Sequence, residues 1–188
     1  MKPLSIAVLA FLLVVIIFLL TGHTGIPEGI TVVRNFDLSK YVGTWYEIAR
    51  LDHGFEKGLT HVTIEYLFQK DGSIKVINRG FNVKHQKWEE SSGKAYPIET
   101  PDIGRLKISF FGPFYGSFNI IELDGNDYSY AMATGPSRNF LWILSRHKNL
   151  DPMVMQRLIE KAKTLGFKLE KLIFVDHKDS PKNPNPIS

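Results

Sequence analysis

From Gly43 to Arg146 the chain repeats one pattern, short runs of alternating apolar and polar residues separated by turn formers. Val62-Thr63-Ile64-Glu65-Tyr66 and Leu106-Lys107-Ile108-Ser109-Phe110 are clear instances. A period of two puts one face of an extended strand against a core and the other in solvent. The pattern predicts strands over residues 45–50, 62–68, 74–82, 93–98, 105–110, 117–123, 128–134 and 140–146. Asp71-Gly72 and Asp124-Gly125-Asn126 are hairpin turn signals, and Pro101-Asp102, Gly112-Pro113 and Gly135-Pro136 mark further breaks. Eight strands with hairpin-length links point to an all-β fold, an eight-stranded up-and-down antiparallel barrel that leaves no sheet edge exposed.

After Arg146 the period changes. Met155, Leu158, Ile159, Ala162 and Leu165 recur at helical steps, with Asp151 as N-cap, Pro152 as first residue and Gly166 as terminator. This amphipathic helix is expected to pack outside the barrel. Leu172 to Val175 reads as a last strand and 178–188 as a disordered tail. At the other end, Lys2 precedes an apolar run from Leu4 to Leu20, the pattern of an export signal. As a helix it would measure about 25 Å at 1.5 Å per residue, near the roughly 30 Å of a hydrocarbon core. Residues 1–25 are therefore expected to form a signal peptide or an N-terminal membrane anchor, with the barrel domain over 29–177.

Gly43-Thr44-Trp45 opens the first strand and Arg146 ends the eighth. A tryptophan and an arginine so far apart in sequence meet only if the sheet curls back on itself, and there the guanidinium can lie over the indole. With the run Ser109-Phe110-Phe111-Gly112-Pro113-Phe114-Tyr115-Gly116, these residues resemble the lipocalin family. The similarity is to its bacterial outer-membrane lipoprotein type, kin of apolipoprotein D and the plant temperature-induced lipocalins. It extends from about Gly29 to about Val175.

The resemblance implies a cup that holds a lipid. Matching its pattern strand by strand points Glu47, Ala49, Ile64, Tyr66, Val76, Asn78, Ile108, Phe110, Phe118, Ala133, Phe140 and Trp142 into a ligand cavity. Val62, Ser91 and Glu122 join them on the same parity, while Gly43, Trp45 and Arg146 are expected to close the base. Fatty acid or lysophospholipid is the implied ligand, and a membrane surface the implied partner. Loops after the first, third, fifth and seventh strands would rim the mouth; Phe55 and Phe114 there either cap the cavity or touch a membrane. The family's bacterial members carry lipid on a cysteine, and this chain has none. The implied location is the cell envelope: periplasmic and membrane-associated, at the outer membrane by resemblance, with attachment through the peptide itself.

Composition narrows the alternatives. Of 188 residues, 13 are Phe, 7 Tyr and 3 Trp, enough for an aromatic-lined interior, and no cysteine supports thiol chemistry or a thiolate metal site. The net charge of +4 is spread along the chain, which argues against a nucleic-acid partner. The six histidines are isolated, no serine sits in a G-x-S-x-G turn, and no phosphate loop occurs. No catalytic residue, metal ligand or cofactor is therefore assigned. The expectation is a non-enzymatic protein that transports or stores amphipathic lipid. A lipid-acting enzyme with Glu47 as acid or base, and a dimeric interaction module, are the alternatives; a homodimer stays open.

Overall fold

A strand with one apolar face must bury it, and closing the sheet into a cylinder does so without leaving an edge. The computed structural model describes residues 24–52, 54, 56–178 and 181. Helix α1 (Leu38–Tyr41) leads into β1 (Gly43–Leu51), β2 (Leu59–Phe68), β3 (Ile74–Asn82), β4 (Lys87–Pro97), β5 (Arg105–Phe111), β6 (Phe114–Leu123), β7 (Tyr130–Thr134) and β8 (Leu141–Ser145). Helix α2 (Pro152–Thr164) and β9 (Leu172–Phe174) follow. Consecutive strands pair antiparallel from β2 to β8. β8 pairs with β1, and Gly43 to Tyr46 of β1 pair with Tyr66 to Thr63 of β2, closing the barrel.

The expected strands are present, with shifted ends. β2 begins at Leu59 rather than at residue 62, β4 at Lys87 rather than 93, and β6 at Phe114 rather than 117. The early part of β4, Lys87 to Ser92, shows no apolar alternation; its partner strand holds it, in register from Asn82↔Lys87 to Ile77↔Ser92. β7 and β8 are shorter than expected, starting at Tyr130 and Leu141. Of the expected N-terminal export or anchor segment only Thr24 and Gly25 are described, their carbonyls accepting from Arg105 and from Ser117 and Asn119; residues 1–23 lie outside the described residues, as do His53, Phe55 and nearly all of the tail.

Two apolar layers hold the fold. Inside the barrel, Trp45, Tyr66, Val76, Leu106, Phe118, Ile120, Ala133 and Leu144 pack together. Outside, Ile48, Ala49, Leu51, Met132 and Ile143 meet Leu158 and Ala162 of α2. That helix starts where Asp151 accepts hydrogen bonds from the amides of Met153 (2.8 Å) and Val154 (3.2 Å). Its fully buried Leu158 contributes about 1.5–3 kcal/mol of apolar burial.

Two β-bulges break the expected parity. On β1, Glu47 pairs with Leu144 but Ala49 pairs with Ile143, so Ile48 and Ala49 both turn outward and Arg50 turns in. Ala49, expected in the cavity, belongs to the outer layer under α2. A second bulge between Ile120 and Glu122 turns Glu122 outward as well. It meets Arg157 at 3.0 Å and Lys161 on α2, and their hydrogen bonds lower its pKa against the opposing effect of burial.

An N-terminal arm crosses the base. The Val33 amide donates to the Ile120 carbonyl (2.9 Å) and the Gly104 amide to the Val33 carbonyl (3.0 Å). Phe36, Tyr41 and Trp45 are buried there in ring-to-ring contact, the Tyr41 and Trp45 centroids 4.9 Å apart.

Candidate functional site

Above this plug the barrel encloses a cavity of about 680 Å³, within the range of natural small-molecule sites. Its lower wall is Ile64, Tyr66, Val76, Asn78 and Phe118, and its upper wall includes Leu59, Ile108, Phe110 and Trp142. Phe118 lies 5.7 Å from Trp142, and Phe140 stacks on Trp142 at 6.0 Å, extending the aromatic surface behind the lining. Asn78 supplies a polar contrast. Its Oδ1 is buried with no hydrogen-bond partner among the described residues, which leaves an acceptor on a mainly apolar stretch of the wall.

Not every expected residue is part of this wall. Ala133 is buried in the inner core and Phe140 packs against it, but neither lines the cavity. Glu47 is inside the barrel and 0% exposed, yet it is taken up by a charge network rather than by the lining. Arg50, 1% exposed, donates from Nη1 to Glu47 Oε1 at 2.7 Å and from Nη2 to the carbonyls of Glu56 (2.7 Å) and Leu59 (3.2 Å). Trp142 Nε1 donates to Glu56 Oε2 at 3.3 Å. Burial, then the nearby Glu56 carboxylate, push the Glu47 pKa well above the ordinary carboxylate range, against the pull of Arg50. Arg50 thus ties the β1–β2 loop down and places Glu56 on the cavity wall. The alternation could not show it, because the bulge at Ile48 brings Arg50 inward.

The rim consists of Glu89 and Ser91 on β4 and Phe111 and Phe114 at the β5–β6 turn. Between these elements the sheet is incompletely laced. β4 pairs with β5 only from Lys94↔Ser109 to Pro97↔Leu106, so the half of β4 before Gly93 has no β5 partner. Gly93 marks the parting. A Cβ there would stand 2.3 Å from the Ser109 carbonyl oxygen, so only glycine allows the two strands to touch at this point.

At the base, Gly43, Trp45 and Arg146 come together. The Arg146 guanidinium carbon is 3.9 Å from the Trp45 ring centroid, and a Cβ on Gly43 would lie 3.5 Å from Arg146 Nη1. Gly43 also has φ +96, which side-chain-bearing residues rarely adopt.

On the wall between β1 and β2, the C-terminal segment fills a gap. Beyond Tyr46 strand β1 pairs with β9, and the amides of Val175 and His61 donate to the carbonyls of Ile48 (3.0 Å) and Asp176 (2.8 Å). His61 Nε2 lies 2.7 Å from the Lys178 carbonyl and His177 Nε2 lies 2.8 Å from the Glu47 carbonyl, with the two rings 6.1 Å apart. Burial depresses the His177 pKa. No grouping of His, Asp and Glu among the described residues could hold a metal ion.

Comparison with known proteins fits this architecture. A lipocalin-like domain model matches residues 36–177. The chain is 46% identical to the outer membrane lipoprotein Blc of Vibrio cholerae over 166 residues, covering 88% of this chain and 97% of that protein. It is 48% identical to the outer membrane lipoprotein Blc of Escherichia coli K12 over 154 residues, covering 82% and 86%. Among solved structures it shares the fold of insecticyanin from the tobacco hornworm, Manduca sexta, with TM-score 0.62 at 22% identity over 82% of this chain and 88% of that one. With a plugged base, an open mouth and a family match spanning the barrel, the chain belongs to the lipocalin-like family.

Proposed function

We propose that the protein is a non-enzymatic carrier of an amphipathic lipid, a fatty acid or lysophospholipid, in the bacterial cell envelope. The cavity of about 680 Å³, apolar along most of its wall and plugged at one end, carries this reading. Burying roughly 14 methylenes at about 0.8 kcal/mol each would stabilise a complex by on the order of 11 kcal/mol, before an association cost of about 4 kcal/mol or more. That leaves an ordinary carrier affinity with no covalent chemistry. The acyl chain would descend past Trp142 and Phe118 toward Tyr66, its head near Glu56 and Glu89 at the rim. Arg79 on the same wall and Lys87 beside Glu89 give this rim both signs of charge, which suits the zwitterionic head of a lysophospholipid. The two similar Blc proteins are outer membrane lipoproteins by name, which supports placement in the envelope.

Trp142 tests the reading directly, because it lines the cavity whereas Trp88 sits on the outer face against Phe81. Titration with lysophosphatidylcholine should change tryptophan emission saturably, and Trp142→Phe should remove that response while Trp88→Phe keeps it. No saturable change in the wild-type protein would contradict the proposal.

A further inference from the structure

The β5–β6 turn carries two large apolar side chains into solvent, Phe111 at 83% exposed and Phe114 at 60%. They pair across the hairpin, and both also form part of the cavity rim. Their exposed surface is thus continuous with the interior. Beside the same turn, on the outer face of the barrel, Lys75 and Lys94 line a shallow recess of about 360 Å³ with Gln69, Gly112 and Tyr115. Lys94 is shared with Asp71 at 3.0 Å, and Lys107 lies 5.4 Å from the Tyr115 ring centroid. An aromatic tip with cations set back from it matches the depth profile of a lipid layer, apolar below and phosphate-bearing above. The unlaced stretch of β4 opens next to this tip.

We propose that the β5–β6 hairpin tip is a membrane-docking wedge. Phe111 and Phe114 enter the lipid layer, Lys75 and Lys94 meet phosphate groups, and the gap beside the unpaired half of β4 lets an acyl chain pass sideways between layer and cavity. The proposal rests on the carrier reading for what passes, but docking itself is separately measurable. A lipid surface fits better than a protein partner because the exposed rings lead into the cavity, where a protein partner would stopper it.

The absence of cysteine makes the test clean. A Cβ at Gly112 would meet nothing within 4 Å, so Gly112→Cys in the full chain can carry a polarity-sensitive fluorophore between the two intact phenylalanines. Lys163→Cys, on the exposed face of α2, serves as the control. Both are mixed with vesicles of phosphatidylethanolamine and phosphatidylglycerol containing brominated acyl chains. The label at 112 should shift to the blue and be quenched, and the label at 163 should not. In parallel, Phe111→Ser/Phe114→Ser should slow transfer of a fluorescent lysophospholipid from vesicles by ~10-fold or more beyond any change in its equilibrium affinity for the free probe, as expected for two lost apolar anchors.

A label at 112 that stays in water would overturn the proposal, as would a transfer rate unaffected by the double substitution. A transfer rate that falls only in proportion to the affinity for the free probe would also overturn it, by making the phenylalanines lining only. A blue shift produced by raising protein concentration without vesicles would assign the tip to a second copy of the chain instead. Failure of the wild-type protein to bind the free probe would refute the carrier reading, while the quenching at 112 still reports on docking.

Discussion

The guanidinium carbon of Arg146 lies over the indole of Trp45, 3.9 Å from its ring centroid, and its nitrogens are spent on backbone. Nη1 donates to the Thr44 carbonyl (2.8 Å), Nη2 to those of Lys40 (2.7 Å), Tyr41 and Val42 (3.0 Å each). The Trp45 Nε1 in turn donates to the Tyr41 carbonyl at 2.8 Å. One side chain therefore pins α1 and the chain leading into β1 over the plugged end of the barrel.

Arg146→Ala should lower stability by about 2–3 kcal/mol, combining the lost cation–π contact with carbonyls left unpaired. Lipid affinity of the folded fraction should stay unchanged, since the cavity lies above Trp45. Urea unfolding alongside lipid titration checks both, and a variant of normal stability that had lost lipid binding would reverse the assignment.

A second test concerns Glu47. Its folded pKa is raised, so between the ordinary 4.5 and the folded value it keeps a proton in the barrel that it releases on unfolding. The stability it contributes is fully present below the ordinary value and is lost as pH rises toward the folded value. Glu47→Gln keeps an oxygen for Arg50 but cannot ionise. Its stability relative to the wild type should therefore improve between pH 4.5 and about pH 8, by about 1.4 kcal/mol per unit of upward shift. Denaturant midpoints at the two pH values decide it; a difference that does not change with pH would mean that Glu47 titrates normally.

The C-terminal segment has the opposite dependence. His177 has a depressed pKa, so its contribution is present above the ordinary value of 6.5 and is lost as pH falls through the folded one. Below about pH 6 the strip that bridges β1 and β2 should loosen first. Protection of the amides of Val175 and His61 against hydrogen exchange, taken relative to the intrinsic rate at each pH, should fall on acidification in the wild type, and less so in His177→Gln. Equal loss of protection in both would place the sensitivity elsewhere.

Much of this was legible in the chain. Turn residues and period-2 runs located the strands, and Asp151-Pro152 with a helical repeat located α2, because both signals are local. Ile64, Tyr66, Val76 and Phe118, which line the lower wall, were expected inward from the family's strand pattern, since alternation alone does not say which face is the inner one. The misplacement of Ala49 has a definite cause: a bulge inserts a residue without leaving a mark in apolar pattern, so parity reverses downstream and an arginine enters the barrel. The polar beginning of β4 was illegible for a related reason. Lys87 to Ser92 form a strand through pairing with β3, a non-local interaction, and not through propensity of their own. Glu56 lies in the loop before β2, and Leu59 opens that strand ahead of the register shift between Thr60 and Thr63, so neither has a period to read.

The central claim is that the barrel holds one amphipathic lipid molecule by burying its chain. Purified protein, taken up without added lipid, should be washed, denatured and extracted, and the extract weighed by mass spectrometry. A fatty acid or lysophospholipid is expected at close to one molecule per chain, greatly reduced when Trp142 and Phe118 are both replaced by aspartate in a protein that still folds. An extract free of such lipid, from a protein that also fails to take up lysophospholipid when it is supplied, would contradict it.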